Sequence, residues 1–134
     1  MKFLLLAGEG ATIAEFATDS GTIYGQAAAA NAIAVGAVPY HAPNAIEPSS
    51  SRGDATIYFT PNGTRLSTPD VRNKPDLVAP DQVNTTFFGT DIPEDGDTFP
   101  NFPGTSAAAS HVAGVAALVM QSNPHLTRSE LVSV

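Results

Sequence analysis

No cysteine occurs in the 134 residues, which excludes both a disulfide framework and a thiolate metal site. Basic side chains are scarce: six Lys and Arg stand against thirteen Asp and Glu, a formal charge of −7. A protein that neutralises phosphates needs the opposite balance, so a nucleic-acid partner is excluded. No apolar run approaches the ~20 residues that cross a bilayer. The opening Met1-Lys2-Phe3-Leu4-Leu5-Leu6-Ala7 has the outline of a signal peptide, but Gly8-Glu9-Gly10 stops it short of the ~7–15 apolar residues such a peptide requires. It reads as a buried strand, and no membrane partner is expected. What is present suits a folded unit. The chain is 43% hydrophobic, enough to bury a core and too much for a disordered tail. Its length fits one domain or part of one.

Short elements follow one another along the chain. Residues 11–20 could hold a helical turn. The alanine-rich Gly25–Asn31 leads into Ala32-Ile33-Ala34-Val35-Gly36-Ala37-Val38, where small and β-branched residues on both faces suggest a strand covered on both sides, as in a parallel sheet. Pro39 ends it, and 39–54 reads as a surface loop. Thr56–Thr60 is β-prone, and Asn62-Gly63 after it is a hairpin turn signal. Asp76–Pro80 is another short strand, and 81–103 reads as loop. From Ser106 to Met120 alanine, valine and leucine cover nearly every helical face, and a helix apolar all round belongs in a core. Asn123-Pro124 stops it. Thr127-Arg128-Ser129-Glu130 is a capping box for one more helix. The chain ends four residues later, which suggests truncation at the C-terminus.

Chemistry gathers at Gly104-Thr105-Ser106-Ala107-Ala108-Ala109. The glycine permits a sharp turn. The helix start offers unpaired N–H groups and the positive end of the dipole, which favour a developing oxyanion. The alanines leave room beside the hydroxyl. Taken alone, the segment reads better as an N-capping serine.

The residues from Gly104 to Gly114 (Gly-Thr-Ser-Ala-Ala-Ala-Ser-His-Val-Ala-Gly) resemble the nucleophile motif of the subtilases, Gly-Thr-Ser-x-x-x-Pro-His-x-x-Gly. Ala32–Val38, Ser50-Ser51-Arg52-Gly53 and Lys74-Pro75-Asp76-Leu77-Val78-Ala79-Pro80 resemble three further stretches of that family, in its order. The resemblance implies an α/β fold with a mainly parallel sheet flanked by helices, a partial subtilisin-like domain around a buried nucleophile helix. Residues 1–134 would be the C-terminal part of a catalytic domain cut at both ends. Ser106 would be the nucleophile and its own N–H an oxyanion donor. Ala7, Gly8, Glu9, Gly104 and Thr105 would contribute to the oxyanion or substrate site. The partners would be a peptide or protein substrate and the missing N-terminal half of the domain. Location would be extracellular or in the cell envelope.

The chain departs from the pattern in ways that bear on activity. A serine nucleophile needs a base and a carboxylate to orient it, and neither an Asp-Thr-Gly nor a His-Gly-Thr motif occurs. His111, at ~100° per residue, lies well round the helix from Ser106. His41 and His125 sit in loops, so each histidine takes a structural or solvated role. The family's oxyanion asparagine has Glu9 in its place, with Asp19 as the other candidate position, and an ionised carboxylate cannot donate. Ser110 replaces a proline, with a small expected effect, and Asp81-Gln82 replaces a glycine. Asp91, Glu94, Asp95 and Asp97 offer oxygens that suit Ca²⁺, but the spacing is not an EF-hand. A solvated acidic loop is the favoured reading, so no cofactor and no metal site are assigned. Phe87, Phe88, Phe99 and Phe102 flank this loop and read as core anchors, with groove lining as the alternative. Three functions compete: a serine endopeptidase incomplete in this chain, a non-catalytic remnant, and a binding module using the acidic loop or Arg52-Gly53-Asp54. The isolated chain is expected to be inactive and, with open sheet edges and exposed apolar faces, poorly soluble.

Overall fold

The computed structural model describes residues 13–15, 18 and 21–133. The strand expected over 2–7, Asp19 and the candidate positions Ala7, Gly8 and Glu9 lie outside the described residues. Along the chain come a 3-10 helix (Gly25–Ala28), strands β1 (Val35–Pro39), β2 (Ala55–Phe59), β3 (Arg65–Arg72), β4 (Leu77–Asp81), β5 (Val83–Asn84) and β6 (Asn101–Phe102), and helices α1 (Thr105–Ser122) and α2 (Arg128–Ser133). The fold is mixed α/β. Among the described residues the sheets are three strand pairs, β1–β4 parallel and β2–β3 and β5–β6 antiparallel.

The parallel pair is the platform for the site. Val35 faces Leu77 and Pro39 faces Asp81 across the ladder. Gly36, Ala37 and Val38 are buried, as expected of a strand covered on both faces. Helix α1 lies against both strands, and Ala108 packs with Ala37 and Ala79, flanked by Val35 and Val112. Small side chains on all three elements let the helix backbone sit close to the sheet. A second cluster, Ile23, Ala28 and Ala55 with Ile57, ties the 3-10 helix to the β2–β3 hairpin.

Polar side chains close the backbone groups that β1 leaves unpaired. Ser50 Oγ accepts from Ala37 N–H at 2.8 Å, and Glu47 N–H donates to Ala37 O at 2.9 Å. Asp76 Oδ2 accepts from Ala34 N–H at 2.7 Å and from Lys74 Nζ at 2.6 Å. Lys74 Nζ also donates to Ala32 O at 2.6 Å. A buried ammonium persists only when paired and hydrogen-bonded, and Lys74, 5% exposed, meets both conditions. Gly53 lies against the Lys74 carbonyl so closely that a Cβ would overlap it. These bonds give the Ser50–Gly53 and Lys74–Asp76 stretches a structural reason.

Three local expectations hold. The Asn62-Gly63 turn joins β2 to β3, with Gly63 at φ 79° and its N–H donating to Thr60 O at 2.9 Å. Helix α1 ends at Ser122, before Asn123-Pro124. In the capping box Thr127 N–H donates to Glu130 Oε2 at 2.8 Å, and Glu130 N–H approaches Thr127 Oγ1 at 3.4 Å.

Two expectations are corrected. Helix α1 is not a buried helix: only Ala107 and Ala108 are buried, while Val115, Leu118 and Met120 are exposed, Leu118 at 67%. One layer of two strands covers one face of the helix, and among the described residues only the short α2 meets it elsewhere. The phenylalanines of the 81–103 segment are not core anchors either: Phe87, Phe88 and Phe99 are exposed. That segment also carries the β5–β6 pair inside what reads as loop.

Candidate active site at the start of helix α1

The turn into α1 is set by Gly104, whose φ of 87° lies in the region that disfavours side chains. Its N–H donates to Asp81 Oδ2 at 2.5 Å. Asp81 is 1% exposed, and its other oxygen, Oδ1, has no hydrogen-bond partner. The carboxylate at the end of β4 thus pins the residue two before Ser106 to the sheet. Gln82, next along, adopts φ 57° and bonds Glu47 Oε1 through Nε2 at 2.6 Å. The loss of glycine after Ala79-Pro80 therefore leaves a left-handed backbone held by a side-chain contact. Neither role is visible in the sequence, because both partners are distant in it.

Ser106 is exposed, the second residue of α1. The amides of Ala107 and Ala108 donate to Gly104 O at 3.0 and 3.3 Å. Among the described residues the amides of Thr105 and Ser106 meet no acceptor, and no side chain bonds the Ser106 hydroxyl. Free N–H groups at a helix start are what an oxyanion needs. Ser110 Oγ bonds back to Ser106 O at 3.0 Å, so serine serves locally where a proline would leave that carbonyl without this partner. A cavity of about 300 Å³ opens beside Thr105, walled by Ile23, Tyr24, Ala27, Val35 and Pro75.

The histidines stand where the helix and loops place them. His111 Nδ1 lies 3.1 Å from Ala107 O, on its own helix. His41 and His125 are exposed, and the His41 ring meets Tyr40 edge-on at 5.3 Å. No described imidazole hydrogen-bonds Ser106.

The acidic loop is organised by one buried amide. Asn101 Nδ2 donates to Gln82 O, Asn84 Oδ1 and Asp95 Oδ2 at 2.7–2.9 Å, and its Oδ1 accepts from Ile92 N–H at 3.0 Å. The Asn101 amide, first among several donors, holds the Asp95 carboxyl below the usual range. Tyr40 is pushed up, by burial first and then by Asp95. Asp91, Asp95 and Asp97 bring oxygens within 4.8 Å of one another, and Glu94 is not in that group. Ca²⁺ takes six to eight oxygens. Asp95 and Asp97 already accept from Asn101, Asn84 and the Asp97 and Phe99 amides.

A model of the subtilase family matches residues 7–134. The subtilisin-like protease SBT2.3 of Arabidopsis thaliana is 38% identical over 96 residues, 63% of this chain and 11% of that relative. No solved structure matches the chain. The motif around Ser106, the strands that carry its helix and a match over nearly the whole chain lead to one assignment: the chain belongs to the subtilase family.

Proposed function

We propose that Ser106 is the nucleophile of a serine endopeptidase whose base and orienting carboxylate lie on polypeptide outside these 134 residues. The Ser106 hydroxyl oxygen attacks the scissile carbonyl carbon and its proton passes to that base. The Thr105 and Ser106 amides face the developing oxyanion. The base returns the proton to the departing amine, and water then hydrolyses the acyl-enzyme and restores the hydroxyl. The observation that carries the reading is an exposed serine at the first turn of α1, beside amides that meet no acceptor among the described residues, in the family's motif. The cavity beside Thr105 suits a substrate side chain.

The preceding half of the domain is the proposed partner. The support is apolar surface: a groove of about 360 Å³ between β4, α1 and α2, lined by Leu77, Val78, Val115, Val119 and Val132. Such a surface is what a missing layer would cover. An extracellular or envelope location goes with this reading. No helix among the described residues is long and apolar enough to cross a membrane.

A fluorophosphonate probe tests the proposal. The isolated chain is expected not to label, since no base activates the hydroxyl. Mixed with a polypeptide carrying the missing half, it is expected to label, and Ser106→Ala abolishes the signal. Labelling of the pure chain would overturn the expected inactivity. One feature favours a non-catalytic remnant: both candidate positions for the donor asparagine, Glu9 and Asp19, carry an acid, a loss of about 3–4 kcal/mol of transition-state stabilisation. If the mixture stays unlabelled and neither Glu9→Asn nor Asp19→Asn restores labelling, the remnant reading stands.

A further inference from the structure

The segment between β4 and α1 combines exposed aromatic surface with charge of one sign. Phe87 is 86% exposed, and Phe88 and Phe99 are about half exposed. Phe88 meets Phe102 edge-on, ring centroids 4.8 Å apart. Behind that pair lies a groove of about 460 Å³, bounded by Gly89, Asp91, Ile92 and Pro103. Apolar surface of this kind rimmed by polar groups marks a contact site.

The charge says what kind of partner fits. From residue 75 to residue 127 there is no Lys or Arg, while Asp91, Glu94, Asp95 and Asp97 crowd the loop. Asp95 and Asp97 accept hydrogen bonds within the loop. Asp91 and Glu94 are exposed and accept none among the described residues. Tyr40 registers the negative field: after burial, Asp95, Asp97 and Glu94 all raise its pKa. A cationic side chain would supply what the loop lacks. Its stem can lie along Phe88 and Phe102 while its head reaches Asp91, which lines the groove, with Glu94 adding to the negative field of the loop.

Position ties the groove to the nucleophile. Pro103 is three residues from Ser106, so the two lie at most ~11 Å apart along the chain. An extended peptide advances ~3.4 Å per residue, so the Pro103 edge of the groove falls within about three positions of the attacked bond. We propose that this groove is a specificity site for an arginine or lysine of the polypeptide substrate, near the scissile bond. The inference rests on the peptidase reading for its location but not for its ligand.

The test is fluorescence anisotropy on the 134-residue chain with two labelled peptides, identical except for Arg or Glu at one position. The Arg peptide is expected to bind at least about tenfold more tightly at low salt and to lose that advantage at high salt. The double variant Asp91→Asn/Glu94→Gln should erase the discrimination, and Asp91→Lys/Glu94→Lys should reverse it. Phe88→Ala should weaken both peptides. Equal binding, no binding, or discrimination that survives the double variant overturns the proposal; circular dichroism matched to the parent removes misfolding as the cause. A photoreactive group three positions from the Arg should crosslink within 103–107, and a crosslink elsewhere overturns the placement. Ser106→Ala should bind as the parent does. Failure of the chain to label when mixed with the missing half would therefore sink the peptidase reading and leave the groove standing.

Discussion

The first turn of α1 and its later turns share a composition but not an environment. At the start, Ala107 and Ala108 are buried against the parallel strands and Gly104 is bonded to the Asp81 carboxylate. Later on, Val115, Leu118 and Met120 face outward. The described residues hold the turn around Ser106 in place by themselves. They leave Val115, Leu118 and Met120 of the same helix for something else to cover. Position relative to the strands, and not hydrophobicity, decides which alanines and valines are interior.

Substitutions should separate the two ends. The largest effect is expected from Ala108→Asp, which puts an unpaired carboxylate against Ala37 and Ala79. A loss of about 4 kcal/mol or more, or failure to fold, should appear in urea unfolding. Asp81→Ala should cost about 1.5–3 kcal/mol, because the Gly104 amide loses a charged acceptor. Asp81→Asn, which keeps an acceptor, should cost less. Leu118→Ser, on the bare side, should change stability by no more than about 0.5 kcal/mol while reducing aggregation in light scattering. A large loss there would mean that this face is covered in the isolated chain, and the comparison would fail.

The smallest expected effect concerns α2, which meets the far end of α1. The Thr127 hydroxyl, and after it the Thr127 amide, holds the Glu130 carboxyl below its ordinary range. Because the folded value is lowered, this contribution is present above the unfolded pKa and is lost as pH falls through the lowered one. Thr127→Ala should return the Glu130 titration toward the ordinary range in an NMR pH series. An unchanged titration would remove the cap from the account.

What was legible in the sequence was local. The Asn62-Gly63 turn and the Thr127–Glu130 box are patterns within a few residues, and each is found; the strand read over Ala32–Val38 is found as Val35–Pro39. The subtilase motif was legible because it too is contiguous. What stayed hidden depends on partners far along the chain. Lys74 reaches Ala32, Ser50 reaches Ala37, and Asn101 joins Gln82, Asn84 and Asp95. The hold of Asp81 on Gly104 belongs to the same group. The burial expected of α1 and of the phenylalanines failed for a related reason. An apolar side chain states a preference for cover, and the surrounding elements determine whether cover exists.

The enclosed Lys74 has a practical consequence. The chain holds two lysines, Lys2 and Lys74, and the second is tied to Ala32 and Asp76 in the interior. An acylating reagent added under native conditions should spare that amine, and its modification should rise only as β1 and β4 come apart. Mass spectrometry of a single peptide would then serve as a clock for the opening of the platform beneath Ser106.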